Sequence, residues 1–284
     1  MPVTTRAAKS PGAERGRRTK ANALGTLLQY WRDVRGKSQL ALALEAEVSP
    51  RHVSFVETGR ARASREMVLR LARALDVPLR ERNGLLLAAG FAPMFQESSL
   101  DSPQLRAARR ALDAILAKQE PHPAVVMNRS WDILESNTAA TTFFLHLLGG
   151  VAPPGTMNVV RMMFDETALR PYVANWPEVA AALVQRVHRE AVGGITDEAT
   201  TNLLAEVMAY PGVTEQWARR DDPPLLAPII PITFVKDGST YSFFSAITTL
   251  GTPQDVTLQE LRIESFFPLD EETTRNMEAL VARR

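Results

Sequence analysis

The 284-residue chain contains no cysteine. Disulfide bonds, thiolate zinc sites and thiol nucleophiles are therefore excluded. Histidine is also scarce, and its positions show no HxxxH or HExxH spacing that would place two metal ligands on one helix face. The four histidines are His52, His122, His146 and His188. We expect neither a metal site nor any other cofactor.

Long hydrophobic runs are also missing. No apolar stretch approaches the ~20 residues that a helix needs to cross a bilayer. The N-terminus, MPVTTRAAKSPGAERGRRTK, lacks the apolar segment of a signal peptide. We therefore expect a cytoplasmic protein with no membrane partner, and residues 1–22 are predicted to be a disordered basic arm.

Motifs of the common enzyme classes are absent too. The sequence has no GxSxG elbow, no P-loop, no GxGxxG after a predicted strand, and no pair of carboxylates flanked by a candidate base. We predict that the protein is not an enzyme.

Charge is distributed unevenly along the chain. Its length suggests about two domains, and the net charge is only +1. However, residues 1–90 hold 17 Lys and Arg against 8 Asp and Glu, a net charge of +9, whereas residues 91–284 hold 16 against 24, a net charge of −8. A polyanionic partner is therefore indicated for the first third. Charge alone does not distinguish nucleic acid from a membrane surface.

Five short helices are predicted within residues 23–92. The first, from Ala23 to Arg35, has one apolar stripe, formed by Leu24, Leu27, Leu28, Trp31 and Val34. Ser38 is a candidate N-cap of the second helix, whose expected buried residues are Leu40, Ala41 and Leu44. Ser49 caps the third helix, with Pro50 at its first position, and Val53 and Val56 should point inward. The fourth and fifth helices begin at Ser64 and Pro78.

The segment from Gly36 to Ser64, GKSQLALALEAEVSPRHVSFVETGRARAS, resembles the Cro/C1 (XRE) family of helix-turn-helix proteins. The matching pattern is G-x-S-Q-x-x-L-A followed by V-S-x-x-x-V-S-x-V-E-x-G-R, with mild departures at Leu42 and Ala63. This resemblance implies sequence-specific binding of double-stranded DNA, with the third helix in the major groove. It also implies a partly buried ion pair between Arg32 and Glu57.

Burial of Val53 and Val56 would turn the opposite face of the third helix towards DNA. On this basis the predicted DNA-contacting residues are Gln39, Ser49, Pro50, Arg51, His52, Ser54, Phe55, Arg60 and Arg62. Arg51 could bond guanine O6 and N7, or only a phosphate. Phe55 could contact a thymine methyl or pack on the fourth helix.

The remaining contacts expected in this unit are to the DNA backbone. Gln39 matches the family glutamine that bonds a phosphate, although it could be an ordinary surface residue. Arg60 and Arg62 should add phosphate contacts. The arm could reach an adjacent groove or stay in solvent; its basic residues are Arg15, Arg17, Arg18 and Lys20.

A linker helix is predicted within residues 93–120, with one apolar face, formed by Leu105, Ala108, Leu112, Ile115 and Leu116. Residues 121–284 then form the second domain. AVVM and WDILES alternate like a hairpin and precede a helix from Asn137 to Leu148, a helical region follows, and three β-rich runs end the chain. The predicted fold is thus an all-α five-helix DNA-binding domain followed by an α+β PAS-like domain with an antiparallel sheet and a helical insert.

The second domain resembles the MmyB-like ligand-binding domain over about residues 105–270. The stretches that carry the resemblance are HPAVVMNRSWDILESN, NVVRMMFD, LRPYVANW and ELRIESFFP. It implies a pocket for a small lipophilic, fatty-acid-like effector, although Met and Phe at helical spacing are also typical of plain core. The candidate ligand-binding residues are Trp131, Asn137, Phe144, Arg161, Phe164 and Trp176. Arg161 could meet a ligand carboxylate or phosphate, or pair with an internal Asp or Glu.

These features predict a nucleoid-associated transcription regulator that senses an effector. A helix-turn-helix unit reads one half-site, so a homodimer is expected, with its contact in the second domain or on the linker helix around Leu112 and Leu116. The alternative is a repressor or antitoxin-like module whose second domain is only structural or dimerising.

Overall fold

The computed structural model describes residues 22–192, 198–218 and 230–283. The chain divides into two compact units, Met1–Gln96 and Glu97–Arg284, here called unit 1 and unit 2. Apart from Asn22, the predicted basic arm lies outside the described residues. In the described part of the chain, no helix combines the length and the apolar character that crossing a membrane requires.

Unit 1 is built from short helices joined by tight turns. Its helices are α1 (Ala23–Val34), α2 (Gln39–Glu45), α3 (Pro50–Glu57), α4 (Arg65–Ala74) and α5 (Leu79–Ala88). The hydroxyls of Ser38, Ser49 and Ser64 each accept a hydrogen bond from a backbone N–H three residues further on. Such N-caps satisfy N–H groups that a helix start leaves unpaired. The five predicted helices are therefore confirmed.

The buried face of α2 differs from the prediction. Leu42 and Ala43 are buried, whereas Leu40 is 57% and Leu44 is 71% exposed, and Ala41 is exposed as well. The sequence QLALALE places leucines on both sides of a two-turn helix, so its periodicity does not select one face. Packing against α3 and α4 selects the Leu42 side.

Unit 2 begins with a 3₁₀ turn at Pro103–Leu105 and contains the remaining helices and all the described strands. In chain order these are α6 (Arg106–Lys118), β1 (Ala124–Met127), β2 (Ile133–Ser136), α7 (Thr138–Leu147), α8 (Val159–Phe164), α9 (Trp176–Val192), α10 (Glu198–Ala209), β3 (Ile232–Lys236), β4 (Ser239–Thr248), α11 (Val256–Glu260), β5 (Arg262–Pro268) and α12 (Glu271–Ala282). Further 3₁₀ turns lie at Arg170–Tyr172 and Glu215–Ala218.

The strands form one antiparallel sheet in the order β2-β1-β5-β4-β3. The predicted hairpin of β1 and β2 and the meander of β3, β4 and β5 are both present, with α7 to α10 inserted between them. Isolated bridges from Asn158 to Asp132 and from Val173 to Phe234 lie beside the two edge strands, so part of each edge is covered. The predicted PAS-like α+β architecture is confirmed.

Helix α6 covers one face of this sheet. Leu112 and Leu116 are buried there against Ala124, Val126 and Ile263. The helix predicted as a linker is thus packed within unit 2. A dimer contact was predicted in the second domain or on this helix around Leu112 and Leu116, and those two side chains are buried in the unit's own core, so they do not offer a surface to a partner.

The other face carries a large aromatic core beneath the inserted helices. The ring of Phe143 on α7 lies 5.3 Å from Phe234, 5.2 Å from Tyr241 and 5.6 Å from Phe243, centroid to centroid, each in an edge-to-face arrangement. Such arrangements are favourable beyond the area that they bury. This aromatic layer holds α7 on the sheet.

Candidate DNA-binding surface and ligand site

The start of α3 is exposed and held in a fixed orientation. Ser49 caps it: the backbone N–H of His52 donates to Ser49 Oγ at 3.2 Å. Val53 and Val56 are buried. These anchors leave Ser49, Pro50 and Arg51 exposed and Ser54 half-buried. An exposed helix N-terminus of this kind can approach base edges in a major groove.

Phe55 lies directly beneath the candidate base-reading arginine. The guanidinium carbon of Arg51 is 5.1 Å from the centroid of the Phe55 ring, one helical turn away. Among the described residues Arg51 forms no salt bridge. Phe55 is half-buried, so it supports the arginine without neutralising its charge. The other predicted cations, Arg60 and Arg62, are exposed just past α3.

A buried ion pair joins α1 to α3 behind this surface. Arg32 Nε lies 2.7 Å from Glu57 Oε1, and Gln39 Nε2 donates to Glu57 Oε2 at 2.8 Å. The hydrogen bond that Arg32 donates to Glu57 raises the pKa of Arg32. The Gln39 amide has two N–H groups, so the bond to Glu57 orients the side chain and leaves one N–H without a partner among the described residues.

The structure brings four of the six predicted ligand-binding residues into one apolar core, Trp131, Phe144, Phe164 and Trp176, but not Asn137 or Arg161. Trp131, Asn137, Phe144 and Phe164 are buried, whereas Trp176 is half-buried and Arg161 is exposed. Phe164 and Trp176 meet, with ring centroids 5.9 Å apart.

The polar members of this set already have partners inside the protein. Asn137 Oδ1 accepts hydrogen bonds from the backbone N–H groups of Ala124 at 3.0 Å and Ala140 at 2.8 Å. Asn137 Nδ2 donates to the backbone oxygen of His122 at 2.8 Å. These bonds join the start of β1 to the start of α7. Arg161 Nε lies 3.0 Å from both Glu206 oxygens. Of the two roles considered for Arg161, a ligand contact and a pair with an internal acidic residue, this is the second. A ligand contact for either residue stays a prediction.

A polar cluster that sequence reasoning missed surrounds Trp131. The guanidinium carbons of Arg186 and Arg262 lie 4.5 Å and 5.2 Å from its ring centroid. Glu190 Oε2 accepts from Trp131 Nε1 at 3.1 Å and from Arg262 at 2.9 Å. Trp131 also has a positive φ of 68°, which is strained for a bulky residue and often marks a functional site. We call Trp131, Arg186, Glu190, Arg262 and Glu264 the Trp131 cluster.

Two arginines and two glutamates meet in the Trp131 cluster. Glu190 pairs with Arg186 at 3.5 Å and with Arg262 at 2.9 Å. Burial raises the pKa of Glu264, against the opposing effects of a hydrogen bond from Ser245 and of the two arginines. Burial also lowers the pKa of Arg186. Guanidinium groups are common partners of carboxylates and phosphates, so the cluster is a candidate site for an anionic group. A metal site is not apparent in residues 22–192, 198–218 and 230–283, which contain no suitable group of three His, Cys, Asp or Glu side chains.

Comparison with known proteins identifies both units. The family model of the MmyB-like transcription regulator ligand binding domain matches residues 108–280, and a helix-turn-helix model matches residues 28–82. Both families are regulatory and not enzymatic. No curated protein gives a significant match.

Two solved structures show a weaker likeness. The clp gene regulator ClgR from Corynebacterium glutamicum is 27% identical, over 36% of this chain and 95% of that chain, with a TM-score of 0.22. An RNA-binding light-oxygen-voltage receptor is 13% identical, over 99% of this chain and 70% of that chain, with a TM-score of 0.30. Both TM-scores are too low to support an argument. The family matches do support one, since the first covers more than half of the chain: this protein belongs to the MmyB-like transcription regulators, with a helix-turn-helix DNA-binding domain followed by a ligand-binding domain.

Proposed function

We propose that this regulator binds a specific sequence in double-stranded DNA and that its second unit senses a small lipophilic acid of the fatty-acid type. For DNA, the observation that carries the proposal is the exposed start of α3, where Arg51 is supported by Phe55. Its guanidinium can bond two acceptors of one guanine. Gln39, Arg60 and Arg62 would bond phosphates, which positions α3 but carries no sequence information.

Arg51→Ala is expected to weaken binding to a specific site by ~1–3 kcal/mol, while binding to random DNA changes little, because the lost contact is to a base. The site would first be selected from random duplexes with the full chain. Fluorescence anisotropy at fixed salt then gives both affinities. Arg70→Ala is the matched control, because Arg70 is an exposed arginine of α4 paired with Glu66.

Gln39→Ala provides the contrast, since loss of a phosphate contact should weaken binding about equally on all sequences. If Arg51→Ala also weakens all sequences equally, Arg51 contacts phosphate and base reading by this residue is wrong. If Gln39→Ala instead changes the selected base preference, the phosphate role of Gln39 is wrong.

For the effector, the proposal rests on the Trp131 cluster at the edge of an apolar layer. The face of the sheet under α7 to α10 is lined by aromatic and methionine side chains, which suit an alkyl chain. Arg186 and Arg262 supply the cations that a carboxylate needs. The acid group is proposed to bond Arg186 and Arg262, which lie beside the apolar layer, whereas Arg161 pairs with Glu206 at the surface.

Arg262→Gln is expected to weaken binding of dodecanoate to the full chain about 10-fold or more, because a charged hydrogen bond contributes ~1.5–3 kcal/mol. Binding of dodecanol, which lacks the charge, should change little. Isothermal titration calorimetry measures both affinities, and Arg161→Gln is the matched control. If Arg161→Gln causes the loss and Arg262→Gln does not, the acid group lies at Arg161. Failure of dodecanoate to bind the unmodified protein would contradict the effector class.

The regulator is also proposed to act as a homodimer, since one helix-turn-helix unit covers a single half-site. The dimer contact would involve a surface other than Leu112 and Leu116, which are buried in unit 2. A ligand that favours one arrangement of the two DNA-binding units would change DNA affinity, and DNA would change ligand affinity by the same factor.

A further inference from the structure

A second recess lies in unit 2 at the far end of β4 from the Trp131 cluster. Its volume is about 570 Å³, and its walls are formed by Thr142, Leu145, His146, Gly149, Gly150, Lys236, Asp237, Leu280 and Arg283. Glu264 pairs with Ile247 near one end of β4, whereas the turn at Asp237 precedes the other end. At ~3.3 Å per residue, roughly 25 Å of strand separates the two places. The recess is therefore distinct from the proposed effector site.

Two buried polar atoms in the recess wall have no hydrogen-bond partner among the described residues. Thr142 Oγ1 and His146 Nε2 are buried, and neither has a hydrogen bond within the part of the chain that the structure describes. They lie one turn apart on α7. Native proteins pair most buried polar atoms, and an unpaired one costs ~1–3 kcal/mol. Burial lowers the pKa of His146, which leaves a neutral ring that can donate from one nitrogen and accept at the other. A hydroxyl group can bond such a pair, since it both donates and accepts.

The recess also carries an excess of positive charge. Lys236 donates to the Tyr172 hydroxyl at 3.0 Å and lies 4.2 Å from the centroid of the same ring, so this described partner carries no formal charge. Among the described residues neither Lys236 nor Arg283 forms a salt bridge. Asp237 is the one carboxylate among the described residues that line the recess. An anionic group would find two cations here.

We propose that this recess binds a small hydroxylated organic acid. The acid group bonds Lys236 and Arg283, and the hydroxyl bonds Thr142 and His146. The hydrocarbon part lies on Leu145 and Leu280, the apolar members of the wall. The volume falls within the ~300–1,000 Å³ that is usual for small-molecule sites. This second site depends only on the fold of unit 2. The proposal is therefore independent of the proposal that the Trp131 cluster binds a lipophilic acid.

The test uses 4-hydroxybenzoate and the full chain, observed by heteronuclear NMR. We expect saturable shifts of the Gly149 and Gly150 amides and of the His146 ring. Two probes remove one feature each: benzoate lacks the hydroxyl, and 4-hydroxybenzyl alcohol lacks the charge. Each should bind at least 10-fold more weakly. Absence of saturable shifts at these residues, or equal affinity for the alcohol and the acid, would overturn the proposal.

Variants locate the site. Arg283→Gln, just past the end of α12, should weaken 4-hydroxybenzoate binding at least 10-fold. Arg275→Gln, within α12 but outside the recess, should leave the affinity unchanged. Thr142→Val should remove the advantage of 4-hydroxybenzoate over benzoate. Equal losses in Arg283→Gln and Arg275→Gln would show a general charge effect and refute the proposal. Loss of binding in Arg262→Gln would place the compound at the Trp131 cluster and would equally refute a second site.

Discussion

Gly25→Ala is expected to unfold the DNA-binding unit. Gly25 lies on α1, where a Cβ atom would stand 2.3 Å from the backbone oxygen of Glu57 and 2.8 Å from its carbonyl carbon. These are backbone atoms at the end of α3, so they cannot move aside as a flexible side chain can. Overpacking by one methyl usually costs ~1–3 kcal/mol. A backbone clash between two helices should reach or exceed the upper end of that range.

Gly84→Ala is the matched control for this substitution. Gly84 lies within α5, and a Cβ atom there meets nothing within 4 Å, so alanine should stabilise unit 1 by ~0.5–1 kcal/mol through helix propensity. The indole N–H signal of Trp31, which is fully buried in unit 1, follows the unfolding of this unit in urea. In Gly25→Ala we expect the Trp31 signal to move away from its native position, and we expect specific DNA binding to be lost with it. If the urea midpoint of Gly25→Ala is unchanged, α1 and α3 can move apart with little loss of stability, and the expectation is wrong.

Local signals allowed most of unit 1 to be predicted from the sequence. Ser38, Ser49 and Ser64 mark helix starts because an N-cap bonds an N–H only three residues away. The candidate DNA surface is similarly local, since Arg51 and Phe55 lie one turn apart on a single helix. The buried face of α2 was not predictable, because alternating leucines present apolar groups on both sides and only the neighbouring helices select one.

The Trp131 cluster could not be predicted in this way, because its members come from distant parts of the chain. Arg262 and Glu264 alternate with buried Ile263, a pattern typical of a strand with one face in solvent. Here both faces of the sheet are covered, so the charged side chains lie under α9 beside Arg186 and Glu190. The burial of Leu112 and Leu116 shows the same limit, since an apolar stripe predicts burial without identifying the surface that covers it.

Glu57→Ala is expected to destabilise unit 1 by ~3 kcal/mol, because the largely buried Arg32 guanidinium then keeps only the exposed carboxylate of Asp33, at 2.9 Å, as its counter-charge. The side chains of Arg32 and Glu57 are only 13% and 4% exposed. Glu66→Ala is the matched control, since Glu66 pairs with Arg70 at an 81% exposed position. Exposed pairs contribute ~0–1 kcal/mol. Urea unfolding followed at Trp31 measures both losses, and equal losses would contradict the difference expected from burial.

A double variant separates the structural role of this ion pair from its role in DNA binding. Replacing both partners, as in Arg32→Met with Glu57→Leu, removes the buried charge, and apolar replacements of buried pairs are often neutral or stabilising. We therefore expect the double variant to regain most of the stability lost in Glu57→Ala. DNA affinity should remain weakened, because Gln39 no longer has the carboxylate that orients its amide at 2.8 Å. If affinity recovers with stability, the ion pair serves the fold alone, and the orientation of Gln39 contributes nothing to DNA binding.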